Sequence, residues 1–166
     1  LHQLDGYDIS NIADQMGEPI WKGQLDIASE LNKEVTTSFP VDEALPQRKP
    51  GVYVLTAQPV DAHGSDDEDY DSRATQWFVV SDLGLSALTG NDGLHAFVRS
   101  LSSAQALATV SLRLVARNDE ILGRATTDAA GHARFEPGLL RGEGGNKPAL
   151  LVAEGPDGDF AFLDLA

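Results

Sequence analysis

The sequence predicts an all-β protein made of two consecutive β-sandwich domains, residues 1–81 and 82–166. Short runs in which apolar and polar residues alternate recur along the chain, Gly, Pro, Asn and Asp bound them, and helical periodicity is scarce. A chain of 166 residues is long enough for two compact domains of about 80 residues each. The composition, 42% hydrophobic and 23% charged, is typical of a soluble globular protein.

The first domain is predicted to contain four or five strands after an opening segment. Ile9, Ile12 and Met16 have roughly helical spacing and Ser10 is a candidate cap, so this segment is either a short helix or an irregular arm. The predicted strands are 21–27, 34–39, 51–57 and 75–80, and the last two are expected to be buried on both faces. Because four or five strands are few for a sandwich, we expect an irregular sandwich or one that lacks a strand at its N-terminal end.

The second domain shows a denser succession of strands and turns. Leu94, Ala96 and Val98 alternate with polar or aromatic residues and are expected to face the core. Turn residues at 91–93, 118–119, 128–131 and 155–159 separate strands predicted at 94–99, 110–117, 120–127, 132–135, 150–154 and 160–165. About seven strands in roughly 85 residues predict an immunoglobulin-like or fibronectin-like sandwich.

The charge and the lack of cysteine exclude several classes of function. There are 26 acidic residues against 12 basic ones, a formal net charge of −14, which repels polyanions. We therefore expect neither nucleic acid nor an anionic membrane surface as a partner. The chain has no cysteine, which excludes disulfides, thiolate metal sites and cysteine nucleophiles.

The first residues are Leu1, His2 and Gln3, and no initiating Met, basic leader or long apolar segment is found. The sequence is therefore expected to be a piece of a longer polypeptide. Any export signal or lipid anchor would then lie outside it.

Four histidines are the candidate catalytic bases: His2, His63, His95 and His132. None lies in a G-x-S-x-G motif. His95 and His132 alternate with core positions and are predicted to face solvent. The 26 carboxylates are too many for spacing alone to single out a pair for acid–base chemistry. We therefore predict no catalytic residue.

Residues 63–73 are predicted to form a solvated hairpin loop because they are too polar to be buried. Their carboxylates can gather oxygen ligands around calcium, but they lack the spacing of an EF-hand, so a loop without an ion is the favoured interpretation. Calorimetry with calcium distinguishes the two. These acidic residues are Asp66, Asp67, Glu68, Asp69 and Asp71.

Residues 141–148 are rich in glycine and contain a lysine, as phosphate-binding loops do. Pro148 follows Lys147 where such a loop needs Ser or Thr, and no helix is predicted after it. We therefore predict a long, flexible loop between strands.

Three aromatic residues raise the question of a sugar-stacking platform: Trp21, Trp77 and Phe78. Trp77 and Phe78 fall inside a predicted strand, one side of which must pack in a core, so a core role is the favoured interpretation for these two.

Several segments, taken in order and with their spacing, resemble the bacterial alpha-2-macroglobulins. Together they cover nearly the whole chain from Ile20 onward. They are 20–23, 35–37, 72–85, 92–101, 126–128 with Gly131, Ala133 and Phe135, 137–145, and 157–165.

The resemblance implies two macroglobulin-like domains from the N-terminal half of a large periplasmic protein, often a lipoprotein of the inner membrane. Such proteins trap proteases after cleavage of a bait region, and many capture them through a thioester in a C-x-E-Q motif. No residue here matches that motif or a bait region. The implied partners are other domains of the parent chain, proteases bound by the full-length protein, and a peptidoglycan synthase. No cofactor or metal is implied.

The resulting prediction is a non-catalytic structural segment of such an inhibitor. The alternative is a stand-alone adhesion or cell-wall-binding module that uses its exposed loops. A hydrolase is the weakest hypothesis, since no nucleophile, base and orienting group can be paired.

Overall fold

The computed structural model describes residues 6–28, 30–60 and 73–165. By its internal contacts the chain forms two compact units. One contains residues 78–165 together with 50–53, and the other contains 6–49, 54–60 and 73–77. The division predicted at residues 81 and 82 stays a prediction.

Among the described residues before 81, the elements are two helices, α1 (Gly6–Met16) and α2 (Val41–Ala44), and two strands, β1 (Gly51–Ala57) and β2 (Ala74–Val80). Helix α1 confirms the helical alternative for the opening segment. Ser10 lies inside the helix and not at its cap. The helix ends where the Gly17 amide donates to the Ala13 carbonyl at 2.8 Å.

The strands predicted at 21–27 and 34–39 are absent, so both predictions were wrong. These residues have no regular secondary structure. Ile27 is 72% exposed, and Leu25 and Val35 are exposed as well. An alternating pattern forms a strand only when a neighbouring strand completes its hydrogen bonds and a second layer covers its apolar face. Among the described residues, no strand pairs with either of these two segments.

Strands β1 and β2 confirm the predictions at 51–57 and 75–80, and they pair as a two-stranded sheet. The expectation that they are buried on both faces was wrong. In β1, Val52 and Val54 are exposed, whereas Tyr53 and Leu55, which alternate with them, are partly buried. A two-stranded sheet is narrow, and both of its faces are buried only when other elements pack on each of them.

The chain from residue 83 onward forms a sandwich of two antiparallel sheets. The strands are β3 (Leu83–Gly90), β4 (Gly93–Ser100), β5 (Ser111–Ala116), β6 (Ile121–Thr126), β7 (His132–Phe135), β8 (Pro148–Glu154) and β9 (Phe160–Asp164). One sheet has the order β3-β4-β7 and the other the order β6-β5-β8-β9. Seven strands in two sheets confirm the sandwich predicted for this half.

The core of the sandwich lies between the inner faces of the two sheets. Alternate residues point inward, as the sequence pattern predicts: Leu112 and Leu114 in β5 are both 0% exposed. Leu112 lies beside Ala125 of β6 and Ala153 of β8, so that strand β5 is covered on both sides. The other members of the core are Leu83, Leu94, Ala96, Val98, Val110, Ala133, Phe135, Leu151 and Ala153.

The β3–β4 hairpin turns through Asn91 and Asp92, and its register requires a glycine. Gly90 pairs with Gly93, so the loop has two residues. Gly93 has φ +128°, and a Cβ at this position would lie 2.0 Å from the carbonyl oxygen of Phe135. The sequence signal of a tight turn is thus confirmed, and Gly93 allows β7 to approach β4.

Candidate functional site

His95 and His132 are the predicted candidates that the structure brings together. They lie on the outer face of neighbouring strands β4 and β7, and both are partly buried. His95 Nδ1 is 2.9 Å from His132 Nε2, and His95 Nε2 is 2.9 Å from Asp92 Oδ2. Because the Asp92 carboxylate can only accept, His95 Nε2 donates to it, and His132 Nε2 donates to His95 Nδ1.

Two carboxylates flank this pair. Hydrogen bonds from its own backbone amide and from His95 lower the pKa of Asp92. At the other end, the backbone amides of His132 and Ala130 donate to Asp128 and lower its pKa. Both carboxylates therefore stay ionised at neutral pH and act as fixed acceptors.

The histidine pair does not form a hydrolytic site among the described residues. Neither imidazole bonds to a hydroxyl there, so a nucleophile is missing. The nitrogens that face each other are joined by a hydrogen bond, and the described residues contain no group of three or more potential metal ligands. The prediction that the chain has no catalytic residue therefore stays a prediction.

The other acidic and histidine candidates fall outside the described residues. They are His2, His63, Asp66, Asp67, Glu68, Asp69 and Asp71. Whether these acidic residues bind calcium or form a loop without an ion therefore remains to be tested by calorimetry.

Residues 141–147 form a connection between strands and Pro148 begins β8, so the predicted loop is confirmed except at its last residue, and its flexibility stays a prediction. The connection includes a 3-10 turn at Gly144–Asn146. The turn is held against the β5–β6 hairpin, since the Asn118 amide donates to the Gly145 carbonyl at 3.0 Å and Asn118 Nδ2 donates to Asn146 Oδ1 at 3.0 Å. The amides of Asn146 and Lys147 donate to the carbonyls of Glu143 and Gly144, so these amides are used within the turn and are not free to bind a phosphate.

The aromatic candidates behave differently from one another. Trp77 is 40% exposed, so the expectation of a core position was wrong for it. Phe78 is partly buried and stacks on Tyr53, with 5.5 Å between the ring centroids. Trp21, 46% exposed, makes an edge contact with Phe39 at 5.3 Å.

Asp159 is a buried polar residue whose role sequence reasoning missed, since the pattern marked it only as a turn residue. Its Oδ2 accepts a hydrogen bond from the Asp82 amide at 3.0 Å. Asp82 in turn accepts from the Ser102 amide at 2.8 Å through its Oδ1. The Ser100 hydroxyl and the Ser102 amide lower the pKa of Asp82. These bonds fasten the start of β3 to the turns at the same end of the sandwich.

Residues 80–166 match the family model of the bacterial alpha-2-macroglobulin MG3 domain, which is 87 of the 166 residues and so more than half of the chain. The chain belongs to the bacterial alpha-2-macroglobulin family. The resemblance inferred from the sequence is therefore confirmed, together with the all-β, macroglobulin-like fold.

Relatives and solved structures agree with this assignment. The alpha-2-macroglobulin of Escherichia coli K12 is 28% identical over 151 residues, which is 91% of this chain and 8% of the relative. An alpha-2-macroglobulin homolog of Yersinia pestis is 30% identical over 129 residues, 71% of this chain and 6% of that protein. The chain thus spans less than a tenth of the length of these relatives.

Two crystal structures of native E. coli alpha-2-macroglobulin have the same fold. One, spanning domains NIE-MG1, aligns with 88% of this chain and 64% of its own, with TM-score 0.68 and 28% identity. The other, spanning MG0-NIE-MG1, aligns with 92% of this chain and 45% of its own, with TM-score 0.70 and 26% identity. Within the described residues, no helix has both the length and the apolar character needed to cross a bilayer.

Proposed function

We propose that this chain is a non-catalytic structural segment of a larger alpha-2-macroglobulin that traps proteases after bait-region cleavage. The observation that carries the proposal is the alignment of 92% of the chain with domains of native E. coli alpha-2-macroglobulin. The chain equals 8% of the length of that relative, so any trapping activity would belong to the assembled protein. The sandwich would supply framework, since a fold alone confers no activity.

The partners and the compartment follow from the same proposal. Other domains of the parent chain would pack against this segment. Proteases would bind only to the full-length protein. A peptidoglycan synthase is a further proposed partner. The proposed location is the periplasm, with the parent anchored to the inner membrane by a lipid.

The proposal predicts that the purified 166-residue chain neither cleaves substrates nor inhibits proteases. The chain would be incubated at micromolar concentration with a trypsin-like and an elastase-like protease, and residual protease activity would be measured with a small and a protein substrate. Unchanged activity on both is expected. Inhibition in a stoichiometric, saturable manner would overturn the scaffold role and would require a direct protease-binding site.

The cell-wall-binding alternative is tested by a pull-down with purified peptidoglycan. The scaffold proposal expects no retention of the chain. Retention that is lost in both Trp21→Ala and Trp77→Ala would favour the alternative, because these two exposed rings are suited to stacking on sugars. Leu31→Ala provides a control that removes an exposed apolar side chain without an aromatic ring.

A further inference from the structure

An acidic cleft opens at the end of the sandwich where β3 begins. Its volume is about 430 Å³. The connection after β4, the end of β8 and the β8–β9 turn contribute to its walls. The lining residues are Asp82, Leu83, Leu107, Ala108, Thr109, Val110, Glu154, Gly155, Pro156 and Asp159.

The charges in the cleft are not balanced by its own lining. Asp82, Glu154 and Asp159 line it, and no Lys, Arg or His is among its lining residues. Arg113 lies outside the lining and forms an ion pair with Glu154. Asp82 is held by neutral hydroxyl and amide donors, which keep its pKa low and leave its negative charge in place. The carboxylates of Asp82 and Asp159 therefore have no cationic partner in the part of the chain that the structure describes.

Asp159 has one carboxylate oxygen that the fold does not use. The residue is 8% exposed, and its Oδ2 accepts from the Asp82 amide. Its Oδ1 is buried and has no hydrogen-bond partner among the residues that the structure describes. A buried carboxylate oxygen without a donor is unfavourable, and a ligand that donates to it would relieve this cost.

The walls indicate which kind of cation fits. Leu83, Leu107, Val110 and Pro156 form apolar surface around the carboxylates. A metal ion is disfavoured, since the described residues hold no cluster of three ligands close enough to share one. Apolar walls with separated carboxylates suit an organic cation whose alkyl stem packs on the walls and whose N–H groups reach the acids.

We propose that this cleft binds an alkylguanidinium or alkylammonium group, such as an arginine or lysine side chain provides. The cation would donate to Asp159 Oδ1 and lie beside Asp82, while its stem contacts Leu83 and Pro156. A guanidinium is favoured over an ammonium because its planar fork of N–H groups can donate to Asp159 and Asp82 at the same time.

The test is a titration of the ¹⁵N-labelled full chain at low salt, followed by the backbone amide shifts of Asp82, Gly155 and Asp159. The probes are butylguanidinium, the peptide acetyl-Gly-Arg-Gly-amide, and its uncharged analogue with citrulline. Saturable shifts at the cleft with both cations and none with the citrulline peptide are expected. Tighter binding of the arginine peptide than of butylguanidinium would identify a polypeptide as the source of the cation, and equal binding would identify a free cation.

Two variants make the test specific. Asp159→Asn keeps an oxygen that can accept from the Asp82 amide but removes the charge, and it should weaken binding about tenfold or more. Asp157→Asn is the matched control: it lies in the same turn but outside the cleft lining, and its φ of 59° is one that Asn tolerates well. It should bind as the unchanged chain does.

Three results would overturn the proposal: shifts spread over the whole acidic surface, equal shifts with the citrulline peptide, or unaltered affinity in Asp159→Asn. If Asp159→Asn does not fold, Glu154→Gln at the exposed rim serves instead. Its expected effect is a smaller loss of affinity that leaves the shifted amides the same, and an unchanged affinity there would count against the site.

Discussion

The residues from 83 to 165 and the described residues before 81 differ sharply in how they pack. In the sandwich, two sheets bury a shared core that includes Phe135 and Leu151. Among the described residues before 81, Ala44 alone is buried, and large apolar side chains such as Leu31, which is 90% exposed, remain at the surface. The hydrophobic contribution to stability is therefore concentrated after residue 82.

Two leucines in similar sequence patterns differ in burial. Leu25 and Leu112 both lie in alternating apolar and polar runs. Leu112 has neighbouring strands on both sides and is 0% exposed, whereas Leu25 lies in a segment without strand pairing and is 44% exposed. The same local pattern thus gives a core position only where another part of the chain supplies the partner strand and the covering layer.

The largest expected effect is a core truncation that separates the two regions. Leu114→Ala should lower the free energy of unfolding of the sandwich by about 3 kcal/mol, because it removes a fully buried side chain and leaves a cavity. Urea unfolding followed by sandwich-specific amide signals measures it. Leu31→Ala is the control and should change stability by less than about 0.5 kcal/mol. Similar losses in both variants would contradict the contrast.

A glycine substitution should have the next largest effect. Gly93→Ala should cost about 2 to 3 kcal/mol, because φ of +128° strains any Cβ and this Cβ would meet the Phe135 carbonyl oxygen. Thermal unfolding by calorimetry checks it. The matched variant Gly138→Ala, with nothing within 4 Å of its new Cβ, should be close to neutral. A neutral Gly93→Ala would show that β4 and β7 do not approach as described.

A buried hydroxyl offers a third, smaller test. Thr127 Oγ1 accepts from the Val110 amide at 2.9 Å and donates to the Leu107 carbonyl at 2.7 Å. Thr127→Val keeps the shape but leaves both backbone groups unpaired, so a loss of about 1 to 2 kcal/mol in urea unfolding is expected.

Two neighbouring variants distinguish the hydroxyl from the side-chain volume. Thr127→Ser should recover most of the stability, and Thr126→Val, at the exposed neighbouring position, should have little effect. If Thr127→Val were as stable as the unchanged chain while Thr127→Ser lost stability, the packing of the methyl group and not the hydrogen bonds would account for the contribution of this residue.

The smallest expected effect concerns pH. The pKa of Asp128 is lower in the folded chain than its ordinary 3.8, so its bonds to the His132 and Ala130 amides contribute stability above that value and lose it as pH falls through the folded pKa. Asp128→Asn keeps an accepting oxygen but cannot titrate. Its stability should therefore fall less steeply than that of the unchanged chain as the pH is lowered below about 4. Identical acid profiles in urea unfolding would refute this contribution.

The sandwich could be predicted from the sequence because its strands are strongly periodic and its turns use favourable residues. The alternating residues Val110, Leu112, Leu114 and Ala116 were all expected to face inward, and all are buried. The strands expected at 21–27 and 34–39 were wrong because periodicity reports only an apolar face and says nothing about whether that face finds a partner.

The candidate sites could be predicted only in part. His95 and His132 were recognised as surface residues of two strands, but their hydrogen bond depends on the pairing of β4 with β7. The acidic cleft could not be recognised, since Asp82 and Asp159 are 77 residues apart and meet only because β3 and the β8–β9 turn lie at the same end of the sandwich. No local sequence motif indicates that two residues so far apart in the chain lie close together in space.

By itself the sequence determined the all-β class, the strands and turns of the second half, the acidic charge and the family resemblance, because each depends on local composition, periodicity or the order of motifs. Only the tertiary structure decided which apolar faces become core, why Gly93 must be a glycine, and that Asp159 lines a cleft with an oxygen left unpaired. Burial and hydrogen bonding depend on segments that come together from distant parts of the chain. A local sequence pattern therefore does not indicate which side chains will be buried or which polar atoms will find a partner.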